Sequence, residues 1–107
     1  MSNNTETKAL QEPATVLVTG ATSGIGKAIA LGFAKKNLAI AINGFGKDDE
    51  IAAVLAELKA NGAKDAIHVP SDMSLTADIE RLISTTQEKL GSLDVLINNA
   101  GIQYTAC

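Results

Sequence analysis

Three glycines follow a short apolar segment near the start of the chain. Residues 14–19 are mostly small or β-branched, Gly20, Gly24 and Gly26 come next, and an apolar pattern of helical spacing follows without a gap. Glycine lets the backbone turn through positive φ and lets a phosphate approach main-chain N–H groups. Because the first turn of a helix offers unpaired N–H donors and the positive end of the dipole, this segment could bind a pyrophosphate.

The spacing of the glycines leaves two interpretations open. Gly20-x-x-x-Gly24-x-Gly26 differs from Gly-x-Gly-x-x-Gly, the commonest dinucleotide-binding fingerprint, and a glycine-rich turn can also exist without a ligand. A second unusual stretch, residues 98–101 (Asn-Asn-Ala-Gly), follows the last apolar segment. If both stretches leave neighbouring parallel strands, they meet at one crevice, which favours the ligand-binding interpretation.

The rest of the chain alternates between strand-like and helix-like patterns. Strands are predicted over 14–19, 38–43, 65–69 and 94–98, and helices over 24–36, 48–60 and 75–90. This βαβαβαβ order predicts an α/β fold, a Rossmann-type doubly wound parallel sheet of order 3-2-1-4, truncated after the fourth strand. Residues 1–13 have no periodic apolar face and are expected to form a flexible arm before a dinucleotide-binding portion over 14–107.

Each predicted helix has an apolar face that should lie on the sheet. The residues expected to be buried are Ile25, Ile29 and Leu31 or Phe33 in the first helix, Ile51, Val54, Leu55 and Leu58 in the second, and Ile79, Leu82, Ile83 and Leu90 in the third.

Composition excludes several classes of protein. The 107 residues are 46% hydrophobic and 20% charged with a net charge of −3, which gives no reason to expect nucleic acid as a partner. One histidine and one cysteine make a metal site improbable and exclude a disulfide framework. No apolar run approaches the ~20 residues of a membrane span, and no targeting segment precedes the first strand, so a cytoplasmic location is expected.

The two unusual stretches together resemble a known family. Thr19-Gly-x-x-x-Gly-Ile-Gly26 with Asn98-Asn-Ala-Gly101 has the spacing of the short-chain dehydrogenase/reductase family, and the resemblance covers residues 14–107. Within that family, residues 43–46 and 98–106 are similar to the bacterial NAD-dependent D-3-hydroxybutyrate dehydrogenases. No Gly-x-x-x-x-Gly-Lys-Ser/Thr string occurs, which disfavours a P-loop protein.

The resemblance implies a set of cofactor-binding residues. Those lining the pyrophosphate and its ribose would be Gly20, Thr22, Ser23, Gly24, Ile25 and Gly26. Phe45 would lie near the adenosine ribose, and Asp72 and Met73 would lie at the adenine edge. The residues beside the nicotinamide ribose would be Asn99, Ala100 and Gly101.

The choice between NAD and NADP can be argued from the residues. An NAD site usually has an acidic side chain after the second strand, whereas an NADP site has an arginine near the 2′-phosphate. Here the second strand ends in Asn43, which is not acidic. Asp48 and Asp49 come later in the chain and are interpreted as helix-start charges, and Lys47 is the only cation expected nearby. Ser23 also stands where a basic residue would favour the extra phosphate, so NAD is predicted and NADP is disfavoured.

The family's catalytic residues cannot be assigned in this chain. Hydride transfer in the family needs a serine, a tyrosine with a lysine four residues on, and an asparagine on the helix after the fourth strand. Tyr104 is the only tyrosine, and the sequence has no position 108 for its lysine. Tyr104 is therefore interpreted as a loop residue, His68 as structural, and Cys107 as no nucleophile.

Two functions of different class remain open. The first is the cofactor-binding half of an NAD-dependent dehydrogenase that converts a short 3-hydroxy acid to the 3-keto acid. The resemblance implies that Gln103 binds the substrate carboxylate, and a polar loop residue is the alternative. The second is a non-catalytic dinucleotide-binding or pairing module. In either case the fourth strand is expected to leave an apolar edge through which the chain could form a homo-oligomer.

Overall fold

A computed structural model describes residues 15–70 and 76–99, and the side chains of Thr76 and Ala77 are not among the described atoms. The elements follow the predicted order. They are β1 (Thr15–Val18), α1 (Gly24–Ala34), β2 (Ala39–Ile42), α2 (Asp48–Ala60), β3 (Asp65–His68), α3 (Thr76–Leu90) and β4 (Val95–Ile97). The proposed N-terminal arm lies outside the described residues.

The four strands form one parallel sheet in the order β3-β2-β1-β4, as predicted. Leu17 of β1 lies opposite Ala41 of β2 on one side and Leu96 of β4 on the other. Every residue of β1 and β2 is buried. Two central strands buried on both faces explain why their sequences are apolar throughout and do not alternate with polar residues.

Helices cover both faces of the sheet. The larger core lies on the face of α1 and α2, where the even-numbered strand residues Val16, Val18, Ile40 and Ile42 meet helix residues such as Leu58. The opposite face carries a smaller core in which Leu17 and Ala41 meet Leu82 of α3. Strand residues alternate between the two cores, as the period of two in a strand requires.

The predicted helix faces are confirmed in α2 and α3. Val54, Leu58 and Leu82 are buried, and their predicted neighbours Ile51, Leu55, Ile79, Ile83 and Leu90 are partly buried.

The expected face of α1 is wrong at Ile25, which is 72% exposed. The residues that α1 buries are Gly26, Ala30 and Ala34, while Ile29, Leu31 and Phe33 pack at the margin. Small residues on this face let the helix axis approach the sheet closely, so the larger side chains are displaced to the sides.

Helix α1 also ends at Ala34, two residues earlier than predicted. The N–H of Lys36 bonds the carbonyl of Phe33, and the N–H of Asn37 bonds that of Ala34, both i→i−3 contacts. Asn37 then takes a positive φ of 63°, a left-handed conformation that asparagine tolerates and that stops a helix.

Strand β4 lies at one edge of the described sheet. Among residues 15–70 and 76–99, β4 pairs with β1 alone, and Leu96 is 47% exposed. Over the same residues, no helix combines the length and the hydropathy that crossing a bilayer would require.

Candidate functional site

The turn after β1 needs glycine at two positions for different reasons. Gly24 has φ +62°, and a Cβ added there would meet nothing within 4 Å, so the space above it is open. At Gly26 an added Cβ would lie 2.1 Å from the carbonyl oxygen of Gly20 and 2.7 Å from Nδ2 of Asn99. Gly26 therefore allows a close approach between α1 and the turn, while Gly24 allows the turn to change direction.

The start of α1 has the features of an anion-binding site. Its first turn contains no acidic residue, and Ser23, at the N-cap, makes no side-chain capping hydrogen bond. Ser23, Gly24 and Ile25 are exposed. Since the first N–H groups of a helix have no intrahelical acceptor, those of α1 could donate to an anion such as a pyrophosphate.

The loop that leaves β4 contacts the glycine turn directly. Nδ2 of Asn99 donates a hydrogen bond to the carbonyl oxygen of Gly20 (3.1 Å). Next to it, the hydroxyl of Thr19 donates to Oδ1 of Asn98 (3.2 Å). The two stretches that the sequence singled out therefore meet at the carboxyl ends of β1 and β4, as expected.

The loop that leaves β2 lies at the same end of the sheet, where the carboxyl ends of the strands are. The hydroxyl of Thr22 donates to the carbonyl oxygen of Phe45 (2.7 Å), and Nε2 of His68 donates to the carbonyl oxygen of Gly44 (2.9 Å). These two bonds hold consecutive carbonyls of the loop from opposite sides. The Phe45 side chain itself is 86% exposed and available to a ligand. The structural role predicted for His68 agrees with this contact.

A cavity of about 490 Å³ lies between the glycine turn and α2, and we call it the β2–α2 cavity. It is lined by Thr22, Ser23, Lys27, Phe45, Glu50, Ala53 and Val54. A second cavity of about 510 Å³ lies on the β3 side of the same loop, lined in part by His68 and Pro70. Both volumes are in the range of small-molecule pockets.

The charges of the β2–α2 cavity correct one expectation. Lys47 is not the only cation near the loop after β2, because Lys27 of α1 lines the cavity and its Nζ lies 2.8 Å from Oε1 of Glu57. The cavity also contains an acidic side chain that the sequence reasoning missed, Glu50. Since only residues 43–47 separate β2 from α2, the first turn of α2 must lie near the end of β2, and this short loop was the available signal.

Several expected site residues lie outside the described part of the chain. They are Asp72, Met73, Ala100, Gly101 and Gln103. Tyr104, interpreted as a loop residue, also lies outside it. Within the described ranges, no group of three or more His, Cys, Asp or Glu side chains is arranged to hold a metal ion.

A parallel sheet of this order, with helices on both faces and a glycine turn after β1, defines a Rossmann-like α/β protein. A family model described as short chain dehydrogenase matches residues 14–106. The chain belongs to that family.

Several proteins of known name are similar to this chain. It is 40% identical over 90 residues to the D-beta-hydroxybutyrate dehydrogenase of Rhizobium meliloti, covering 84% of this chain and 35% of that protein. It is 43% identical over 86 residues to the 3-oxoacyl-(acyl-carrier-protein) reductase of Synechocystis, covering 80% of this chain and 34% of that protein. The crystal structure of NADH-dependent reductase A1-R′ complexed with NAD is similar at a TM-score of 0.73 and 33% identity, covering 79% of this chain and 35% of that chain. The chain thus spans 34–35% of the length of these proteins.

Proposed function

We propose that this chain is the NAD-binding portion of a short-chain dehydrogenase that oxidises a short 3-hydroxy acid, such as 3-hydroxybutyrate, to the 3-keto acid. The observation that carries the proposal is the contact between Asn99 and Gly20. That contact places the glycine turn and the loop after β4 at one crevice, where ligands of doubly wound sheets bind.

The chain's own residues fit a dinucleotide along this edge of the sheet. The free N–H groups of the glycine turn would hold the pyrophosphate, with Thr22 and Ser23 beside it and Phe45 near the adenosine ribose. Asn99, bonded to Gly20, would border the nicotinamide ribose together with Ala100 and Gly101, and Asp72 and Met73 would border the adenine. A nicotinamide cofactor, when bound, supplies the acceptor for the hydride.

The substrate is proposed from the relatives. One relative is a D-beta-hydroxybutyrate dehydrogenase, and Gln103 would donate its amide to the carboxylate of such a substrate. A relative that is a 3-oxoacyl-(acyl-carrier-protein) reductase supports 3-oxoacyl groups as the competing substrate class. The alternative function is a non-catalytic module that binds a dinucleotide or pairs with another chain.

The test is to separate binding from turnover in the 107-residue chain. Isothermal titration with NAD should show weak, saturable binding, because the proposed phosphate contacts are contained in residues 20–26. Incubation with NAD and D-3-hydroxybutyrate should produce no NADH, because the chain has no Tyr-x-x-x-Lys pair to move the proton. NADH formation above a substrate-free control would contradict the absence of catalytic groups, and a folded chain that bound no NAD would contradict the cofactor role.

A further inference from the structure

The β2–α2 cavity brings an acidic side chain to the proposed ribose site. Glu50 lines this cavity with Ser23 and Phe45, the residues proposed to lie beside the pyrophosphate and the adenosine ribose. A carboxylate here can accept a hydrogen bond from a ribose 2′-hydroxyl. The same carboxylate repels a 2′-phosphate, which carries a like charge.

A backbone contact fixes the position of the Glu50 carboxylate. The N–H of Lys47, the residue before α2, donates to Oε1 of Glu50 (2.9 Å). This is the backbone half of a capping box, in which a glutamate at the third helical position reaches back to the N-cap. Because the contact orients the side chain, Glu50 presents its charge to the cavity from a defined place.

The one lysine in the lining of the cavity is paired with a carboxylate. Lys27 lines the β2–α2 cavity, and its Nζ lies 2.8 Å from Oε1 of Glu57 on α2. A 2′-phosphate would have to compete with Glu57 for this ammonium group. A 2′-phosphate that entered the cavity would therefore meet one carboxylate that repels it and one lysine that is already paired.

The residue that follows β2, Asn43, is not acidic. An NAD site usually has its acidic residue there, but Asn43 is buried and donates Nδ2 to the carbonyl oxygen of Val69 (3.3 Å). We propose that Glu50, on the first turn of α2, takes this role and selects NAD over NADP, and that the Lys27–Glu57 pair reinforces the selection. This inference rests on the proposed function, because it concerns the same cofactor.

The test compares the dissociation constants of NAD and NADP for the 107-residue chain and its variants. Glu50→Gln removes the charge, yet glutamine still offers an oxygen to the N–H of Lys47, so the capping contact is kept. We expect the ratio of the NADP to the NAD dissociation constant to fall about tenfold. Glu57→Gln releases Lys27 and should lower the same ratio by tighter NADP binding, with little change for NAD.

The control is Glu88→Gln, an exposed glutamate of α3, the helix on the opposite face of the sheet. It removes the same net charge and should leave the ratio unchanged. If NAD binds and Glu50→Gln and Glu57→Gln both leave the ratio at the control value, the inference is wrong and the proposed function stands. If the chain gives the circular dichroism of an α/β fold but binds neither nucleotide, the proposed function fails, and the inference fails with it.

Discussion

The absence of a Cβ atom at Gly26 allows α1 to lie close to the turn after β1. Substitution by alanine would place Cβ 2.1 Å from the carbonyl oxygen of Gly20, a backbone atom that cannot rotate away. We expect Gly26→Ala to lower the free energy of unfolding by about 1–3 kcal/mol, the usual effect of overpacking a core contact. Urea denaturation followed by circular dichroism measures the change.

The matched control for Gly26→Ala is Gly32→Ala in the same helix. Gly32 is exposed, and a Cβ there meets nothing within 4 Å. Alanine should therefore raise the free energy of unfolding by about 0.5–1 kcal/mol through its higher helix propensity. Equal effects of the two substitutions would contradict the close contact at Gly26.

Ser23→Asp separates the stability of α1 from its use as an anion site. An aspartate at the N-cap is compatible with the helix and complements its dipole, so the free energy of unfolding should stay constant or rise by up to about 1 kcal/mol. The same carboxylate would repel a pyrophosphate, so NAD binding should weaken at least about tenfold. Ser84→Asp, at an exposed position of α3, is the control for added charge. Unchanged NAD affinity in Ser23→Asp would contradict a phosphate site at this turn.

The contact between the glycine turn and residues 98–99 was predictable from the sequence, because topology alone brings those loops together. The sequence did not predict the exposure of Ile25, since an apolar residue carries no information on how closely a helix approaches a sheet. Nor did it predict Glu50 or Lys27 in the β2–α2 cavity. Their positions depend on the angle at which α2 leaves the sheet, and that angle results from packing.

Strand β4 is attached to β1 by a carboxylate as well as by the strand ladder. Oδ2 of Asp94 accepts hydrogen bonds from the backbone N–H of Thr15 (3.0 Å) and from the hydroxyl of Ser92 (3.0 Å). The N–H of Asp94 in turn donates to the carbonyl oxygen of Thr15 (3.1 Å). Because Thr15 is fully buried, its N–H depends on this acceptor.

We therefore expect Asp94→Ala to destabilise the fold by about 1–3 kcal/mol, the cost of leaving a buried N–H without a partner. Amide hydrogen exchange should show faster exchange in β4 and at Thr15 than in β2. The control is Asp65→Ala, since Asp65 is an exposed strand-start aspartate whose carboxylate accepts from the adjacent N–H of Ala66 and lies 3.9 Å from Nζ of Lys59, a solvent-exposed pair of little energetic weight. A smaller effect of Asp94→Ala than of Asp65→Ala would contradict this role.

Among the helices and strands, the type and order of the seven described elements were predictable for two reasons. The helices have an apolar face of helical period, and the strands are short apolar runs bounded by glycine, proline or polar residues. The ends were less predictable. Helix α1 stops at Ala34 because of the local bonds of Lys36 and Asn37, although Lys35 and Lys36 would themselves be good helix residues.

The whole sheet presents β4 as an edge in the described part of the chain. Leu96, in the middle of β4, is 47% exposed, and an apolar edge strand tends to pair with another chain. We expect the 107-residue chain to associate with itself as its concentration rises, and Leu96→Lys to shift the equilibrium towards the monomer. Sedimentation velocity over a hundredfold range of concentration measures this. A monomer at every concentration would contradict the predicted pairing, and Ala52→Lys, on the exposed side of α2, controls for charge.

The hydrogen bond from Asn99 to Gly20 joins residues that are 79 positions apart. Contacts of high sequence separation close large loops and so form slowly. The glycine turn involves residues that are close in sequence and can form early in folding. The crevice is complete only after β4 has paired with β1. In refolding experiments, helical signal should therefore appear before the capacity to bind a nucleotide.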